Sequence, residues 1–149
     1  MIEAPTVSVR QAIGADDLAR VEAIERLCFP AHPWDQDALA KYECLVAVTH
    51  AGIVGFLSYR TLVRSGEDTG GEFEILNLAV DPEWRRHGVA KTLLRHQLAR
   101  GGEHFLEVRA SNAAARKLYE YMDFQVIGTR SGYYSYPEES AIVMKWKWC

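Results

Sequence analysis

The sequence predicts one α/β domain, with a mixed, twisted seven-stranded sheet, helices on both faces and elements in the order βααβββαβαββ. Three features predict this class: runs in which apolar residues alternate, segments in which they recur every three or four positions, and turn or cap residues between them. The 149 residues, 48% hydrophobic and 25% charged, have the composition of one ordinary globular domain. We therefore expect a single domain over residues 1–149.

The first strand and helix follow from these periodicities. Alternating Val7 and Val9 predict a strand over 6–11. The run Gly14–Asp17 is a helix start signal, and Pro30 stops the helix. Its predicted apolar stripe consists of Leu18, Val21, Ile24, Leu27 and Cys28.

A short helix and three strands come next. Residues 35–42 read as the second helix. Two apolar runs, 45–48 and 53–57, flank an Ala51-Gly52 turn, which is a hairpin signature. After a polar loop, residues 73–80 form the fourth predicted strand.

The second half alternates helix and strand before it ends in two strands. A third helix begins near Gly88 and ends at Gly101-Gly102, and a strand follows over 104–109. Ser111 is the predicted cap of the fourth helix. The inner face of that helix is expected to carry Ala115, Leu118 and Met122. The last two strands are predicted at 124–130 and 141–148, with the second at the edge of the sheet and Cys149 exposed.

Charge and cysteine content exclude several classes. The formal net charge is −3, which makes binding to nucleic acid improbable. Three cysteines without a C-x-x-C spacing, and five histidines without metal spacing, predict neither a disulfide framework nor a metal site. The chain shows no secretory signal pattern and no long apolar run, so we expect a cytoplasmic protein that does not bind membranes.

The charges are unevenly distributed. Residues 11–50 carry seven acids and three bases, whereas 81–100 carry two acids and five bases. Solvated helix faces explain either run by itself. The alternative is that the first segment meets a cation and the second an anion.

The run after the fourth strand is the strongest binding signal. A strand ends near Val80, a loop follows, and a helix begins with Gly88 and Ala90, where small side chains let a ligand approach the backbone. Unpaired N–H groups and the helix dipole favour an anion there, above all a pyrophosphate, and Arg86 and Lys91 add positive charge. The spacing matches neither a P-loop nor a dinucleotide fingerprint.

The segment Arg85-Arg86-His87-Gly88-Val89-Ala90 resembles the acetyl-CoA signature of the GCN5-related N-acetyltransferases (GNAT). A second run, 106–115 with 118–124, is similar to the ribosomal-protein-alanine N-acetyltransferases (RimI-type) of that family. The resemblance implies the GNAT fold and acetyl-CoA as cosubstrate, without a metal. It also implies a β-bulge that splays the fourth strand from the fifth. The cofactor-binding residues it implies are Leu78, Ala79, Val80, Arg85, Arg86, His87, Gly88, Val89, Ala90, Lys91 and Asn112.

Two residues of the second run are catalytic candidates. Glu107 interrupts a mostly apolar strand, and a carboxylate there needs a partner or a task. Tyr119 lies two helical turns beyond Asn112, so both can border one cleft. The resemblance implies that Glu107 is a general base acting through water and that Tyr119 is a general acid toward the departing thiolate. A modest base suffices for an α-amine, whose pKa is about 7.7 to 8.0 against about 10.4 for lysine.

The acceptor implied by the resemblance is a protein N-terminus, the N-terminal alanine of a small-subunit ribosomal protein. Trp34 and Tyr134 are candidates to contact its first side chain, although Trp34 is more simply read as a core residue. The alternatives are a small amine or antibiotic as acceptor, or a CoA-binding sensor without turnover. We expect a monomer or weak homodimer. The chain departs from the family pattern in two places, with Ala31-His32 inserted in the Phe-Pro-Trp run and few residues between Lys91 and Glu107.

Overall fold

The computed structural model describes residues 5–66, 70–135 and 137–147. Over these residues the elements follow the predicted order, with a short 3₁₀ helix, Pro82–Trp84, added after the fourth strand. The strands are β1 (Ser8–Gln11), β2 (Glu43–Thr49), β3 (Gly52–Val63), β4 (Glu72–Val80), β5 (Glu103–Arg109), β6 (Gln125–Tyr134) and β7 (Glu139–Lys147). The helices are α1 (Gly14–Cys28), α2 (Gln36–Ala40), α3 (Val89–Leu98) and α4 (Ala113–Tyr121).

The strands form one seven-stranded mixed sheet in the order β1-β2-β3-β4-β5-β7-β6. β4 and β5 pair in parallel from Glu72↔Glu103 to Glu74↔Phe105, and the β1–β2, β2–β3, β5–β7 and β6–β7 pairs are antiparallel. The prediction that the last strand is an edge strand is wrong, because β7 lies between β5 and β6. An alternating pattern indicates a strand with one apolar and one polar face. A central strand with one face exposed to solvent has the same pattern, so the pattern does not identify an edge strand. Cys149 lies outside the described residues.

The chain divides into two compact units, Met1–Arg60 with Asn77–Ala99 and Thr61–Leu76 with Arg100–Cys149. In the first unit, helices cover both faces of the sheet. Gly55 lies beside α3, since a Cβ there would be 2.9 Å from Val89 Cγ1. The neighbouring Phe56 points to the opposite face, where α1 and α2 pack. The core cluster on that face consists of Val21, Ile24, Leu39, Cys44, Val46, Ile53, Phe56 and Ala79.

The inner face of α1 differs from the predicted stripe at two positions. Leu27 is 56% exposed, whereas Glu25 is 1% exposed. Because successive helical residues are about 100° apart, Cys28 returns to the side of Val21 while Leu27 lies well off it. Glu25 accepts hydrogen bonds from Asn77 Nδ2 at 2.5 and 3.1 Å, so a carboxylate occupies a place that the hydrophobic pattern assigned to apolar residues.

Burial raises the pKa of Glu25 to about 7, although the Asn77 hydrogen bond opposes the rise. A carboxyl group whose pKa is higher in the folded state destabilises the fold progressively as pH rises from its unfolded value to about 7. Glu25→Gln cannot ionise and is therefore expected to increase the free energy of unfolding near pH 8 by up to about 3 kcal/mol, with little gain near pH 4.5.

Urea unfolding of wild type and Glu25→Gln at both pH values measures this difference. Glu22→Gln is the matched control, because Glu22 lies on the same helix with an exposed partner, Arg26, at 3.8 Å. An equal stability change at both pH values would contradict the assignment of Glu25 as the titrating group.

The second unit contains β5, β6, β7 and α4. Burial alternates along β5, as expected of a strand with one buried face, and His104, Leu106 and Val108 lie inside. His104 stacks on Phe73 at 4.8 Å and meets Trp146 edge to face, and burial lowers its pKa to about 4. His104 is therefore a neutral core residue near pH 7.

The cap of α4 corrects a further prediction. Asn112, not Ser111, is the N-cap, and its Oδ1 accepts the Ala115 N–H at 3.2 Å. The Ser111 hydroxyl is bonded instead to Glu139, at 2.8 and 2.9 Å from its two oxygens. Both residue types cap helices, so the choice depends on a residue distant in sequence.

Candidate active site

The end of β4 is anchored to α1 and β3 within the first unit. Arg20 Nη2 lies 2.7 Å from Asp81 Oδ2, and Arg20 Nε donates to the Ile53 carbonyl at 3.0 Å. Asp81 also accepts the Glu83 N–H at 2.9 Å. The hydrogen bond from the Glu83 N–H holds the pKa of Asp81 below its usual value, and Arg20 is the second-largest cause. These bonds fix where the chain leaves the strand and enters the predicted cofactor loop.

The backbone of that loop has the features expected of the predicted anion site. Arg86 and Gly88 both have left-handed conformations, with φ of 67° and 73° on either side of His87. Gly88 is the N-cap of α3, and its carbonyl accepts the N–H and hydroxyl of Thr92 at 3.0 and 2.8 Å. Alternating backbone handedness at a helix N-terminus turns consecutive N–H groups toward one point. The loop is exposed, and a Cβ on Gly88 would meet nothing within 4 Å.

Two predicted cofactor residues can take part only through their backbone. The Ala79 and Val89 side chains are buried in the first unit, at 4% and 1% exposure. Leu78 and Val80 are half-buried. Sequence analysis missed Trp84, which packs against His87 at 5.3 Å and against His50 at 5.6 Å and so supports the loop.

In the second unit, Glu107 has two partners that sequence analysis did not connect with it. Arg130 Nη1 lies 2.6 Å from Glu107 Oε1. The Tyr133 hydroxyl also hydrogen-bonds Glu107, and this bond is the main reason why the pKa of Tyr133 is raised. The Arg130 guanidinium lies 4.4 Å from the Tyr133 ring centroid, and Glu74 contributes a further negative charge near it. The Glu107 side chain is 19% exposed, so solvent reaches it.

A bulge in β6 brings these partners to Glu107. Arg130 pairs with Ala141 and Tyr134 with Glu139, so four steps along β6 match two along β7. Gly132, inside the bulge, has a φ of 61°, a conformation that glycine adopts without strain. Bulges redirect side chains, and here β6 continues past the end of the predicted strand 124–130 and β7 begins before the predicted strand 141–148.

The turn between β6 and β7 is held at both ends. Arg109 stacks over Tyr134 at 4.4 Å and donates to the carbonyls of Ser135 and Pro137 at 3.2 and 3.1 Å. Glu139 accepts the Ser111 N–H at 3.0 Å. Burial raises the pKa of Tyr134 to about 12. The turn is thus tied to the start of α4, where the predicted cofactor residue Asn112 lies exposed.

Tyr119 lies on α4, two turns after Asn112. It is 9% exposed and contacts the Phe124 ring at 5.6 Å. Burial raises its pKa to about 12, so it keeps its proton at neutral pH. The shared cleft of Asn112 and Tyr119 remains a prediction. Trp34 packs against the core cluster and Tyr42, in agreement with the simpler reading of that residue.

Neither a metal centre nor a membrane span is found in the described part of the chain. No group of three or more His, Cys, Asp or Glu side chains there has the arrangement of a metal site. No helix over the same residues is long and apolar enough to cross a membrane.

Comparison with known proteins identifies the family. Residues 16–124 match the model of the acetyltransferase (GNAT) family. The chain is 34% identical to N-alpha-acetyltransferase RimI of Mycobacterium tuberculosis, over 96% of this chain and 92% of that one. It is 36% identical to the [ribosomal protein bS18]-alanine N-acetyltransferase of Haemophilus ducreyi, over 90% and 96%. It spans about a third of a further relative, an uncharacterized protein of Mycobacterium leprae.

A solved structure supports the same conclusion. The ribosomal-protein-S18-alanine N-acetyltransferase from Escherichia coli superposes with a TM-score of 0.77 at 30% identity, covering 94% of this chain and 92% of that chain. The shared fold, the matching family model and the near full-length relatives agree with one another. The chain belongs to the GNAT family of acetyltransferases.

Proposed function

We propose that this protein transfers an acetyl group from acetyl-CoA to the N-terminal alanine of ribosomal protein bS18, in the cytoplasm. The observation that carries the proposal is the similarity, over nearly the whole of both chains, to an enzyme named for that substrate. The seven-stranded sheet and its helices match a second enzyme of that name. The acceptor is accordingly a protein N-terminus, and we expect no nucleic-acid contact.

The cofactor loop fits a diphosphate. Two left-handed residues, Arg86 and Gly88, shape the backbone at the start of α3, and the space above Gly88 is open. Arg85 and Arg86 are exposed on the same loop. Positive side chains, first-turn N–H groups and the helix dipole together favour a doubly charged anion. When bound, acetyl-CoA supplies the acetyl group as a thioester.

In the proposed mechanism Glu107 removes a proton from the attacking amine through a water molecule. Arg130 and Tyr133 hold its carboxylate, and partial exposure leaves room for that water. Backbone N–H groups near Leu78–Val80 donate to the carbonyl oxygen as negative charge develops on it. Tyr119, which keeps its proton, donates to the departing sulfur.

The test is an acceptor panel. Purified protein with acetyl-CoA is offered the N-terminal peptide of bS18, its variants beginning with Ser, Gly or Met, aminoglycosides and polyamines, and free thiol and product mass are measured. We expect acetylation at the α-amine of the alanine peptide. Thiol release with small amines alone would overturn the proposed acceptor.

Gly88→Val is expected to weaken acetyl-CoA binding at least about tenfold, because a β-branched residue at φ 73° is strained by about 1–3 kcal/mol and its side chain enters the space above the loop. Isothermal calorimetry measures the affinity. Gly14→Val is the matched control, since Gly14 also has a φ of 73° and a Cβ there would likewise meet nothing within 4 Å, but it lies at the start of α1. Equal affinities for both variants would place the diphosphate elsewhere.

A further inference from the structure

The proposed mechanism leaves the buried Glu25 and its partner Asn77 unused. Both residues lie in the first unit, Glu25 on α1 and Asn77 on β4. One nitrogen, Asn77 Nδ2, lies 2.5 and 3.1 Å from the two Glu25 oxygens. One turn further along α1, the Cys28 thiol donates to the Val80 carbonyl at 3.3 Å. Two side chains of α1 thus contact the last residues of β4.

The charge on Glu25 determines how the Asn77 amide is turned. An ionised carboxylate only accepts hydrogen bonds, so it requires the NH₂ end of the amide. The carbonyl oxygen Oδ1 then points away from Glu25. A protonated carboxyl group can donate to Oδ1 instead, and the amide is then free to adopt either orientation.

The position of Asn77 relates the orientation of its amide to the proposed reaction. Asn77 is half-buried, and its hydrogen-bond partner Glu25 is buried. It directly precedes Leu78–Val80, where the proposed thioester lies. Asn77 and Ala79 share one face of the strand, the face on which Ala79 joins the core cluster with α1 and α2. The connection between those helices contains Trp34, one of the two candidates to contact the first side chain of the acceptor.

We propose that Asn77 accepts a hydrogen bond from the attacking α-amine through Oδ1, and that Glu25 is a positioning residue whose ionised form selects this orientation. The inference rests on the proposed function and adds an acceptor-binding residue to it. An amine N–H group is a hydrogen-bond donor. When Glu25 is ionised the amine therefore meets the acceptor Oδ1 of Asn77, whereas when Glu25 is protonated it can meet the Asn77 NH₂ group instead.

The relevant pH lies near neutrality, because burial raises the pKa of Glu25 to about 7. Several of the charged groups on the neighbouring elements are paired. Arg20 is paired with Asp81, and Glu22 accepts a hydrogen bond from Gln36 of α2. The Cys44 thiol of β2 has a pKa raised to about 11 and stays protonated. The other titratable groups on these elements include Arg26, beside Glu22, and the Cys28 thiol, which has Arg85 Nη2 at 4.0 Å.

Kinetics across pH test the inference. For the bS18 peptide, kcat/KM is measured from about pH 5.5 to 8.5 for wild type, Glu25→Gln, Asn77→Ala and the control Glu22→Gln. The ratio of Glu25→Gln to wild type is expected to fall from near one at the lowest pH to about one tenth at the highest, the effect of losing one hydrogen bond. Glu25→Gln is expected to be more stable at high pH, so unfolding does not explain such a loss.

Two further measurements separate positioning from general structural support. The double variant Glu25→Gln/Asn77→Ala should be no slower than Asn77→Ala alone, because Glu25 acts through Asn77. The Asn77 side-chain amide, assigned in ¹⁵N NMR spectra by its absence from Asn77→Ala, should titrate near pH 7 in wild type and not in Glu25→Gln.

The failures are distinguishable. Wild-type protein that acetylates no peptide would overturn the proposed function, and the Asn77 contact with it. Peptide acetylation with a pH-independent Glu25→Gln ratio, additive losses in the double variant, or an Asn77 amide that does not titrate would overturn this inference alone.

Discussion

Glu107→Gln is expected to lower kcat about 100-fold near pH 7 and much less near pH 9, since general-base catalysis contributes roughly 10²–10⁴-fold. Glutamine keeps the size of the side chain but cannot take a proton. The α-amine has a pKa of about 7.7 to 8.0, so near pH 9 it loses its proton without help. The substitution also leaves Arg130 without the carboxylate that lies 2.6 Å away, which adds a pH-independent part to the loss.

A control on the same strand isolates the role of the base. Glu103 lies on the same face of β5 and is also ion-paired, with Lys145 Nζ at 3.3 Å, but far from the bulge that serves Glu107. Glu103→Gln should leave the pH–rate profile unchanged. A loss in Glu107→Gln that is the same from pH 6 to pH 9 would instead mean that Glu107 only holds Arg130 and Tyr133 in place.

The element order could be read from the sequence because it depends on local periodicity. β5 alternates in burial as its residues predict, and Val21 and Ile24 lie inside α1. The errors occur where contacts between residues distant in sequence determine the local structure. Glu25 is buried at an inward helical position because Asn77 supplies a hydrogen-bond donor. Ser111 does not cap α4 because Glu139 binds it.

The site was predictable only in part, for a similar reason. Gly88 and Glu107 stand in recognisable runs of sequence, and local geometry explains each of them. Arg130 and Tyr133 reach Glu107 because a bulge changes the register of β6 against β7. A register shift leaves little trace in a single sequence beyond a glycine, here Gly132, at a left-handed position.

Tyr119→Phe is expected to lower kcat about 100-fold while acetyl-CoA affinity stays within about twofold, since the lost group acts as a proton donor. Tyr119 is 9% exposed and its ring packs on Phe124, a contact that phenylalanine preserves. Tyr121→Phe is the matched control, because Tyr121 lies on the same helix and is 64% exposed. Unchanged turnover in Tyr119→Phe would assign the acid to another residue.

The raised pKa of Tyr119, about 12, makes a sharper test possible. A phenol this weak does not transfer its proton before the C–S bond breaks, because a free thiol has a pKa of only about 8.5. Tyr119 must therefore donate its proton while negative charge builds up on the sulfur. The rate gain from this donation depends on how much charge develops there. An acetyl thioester of a more acidic thiol needs that proton less. The Tyr119→Phe defect should therefore shrink with such a donor, while the Glu107→Gln defect persists, and equal defects with both donors would remove Tyr119 from the departure of the thiolate.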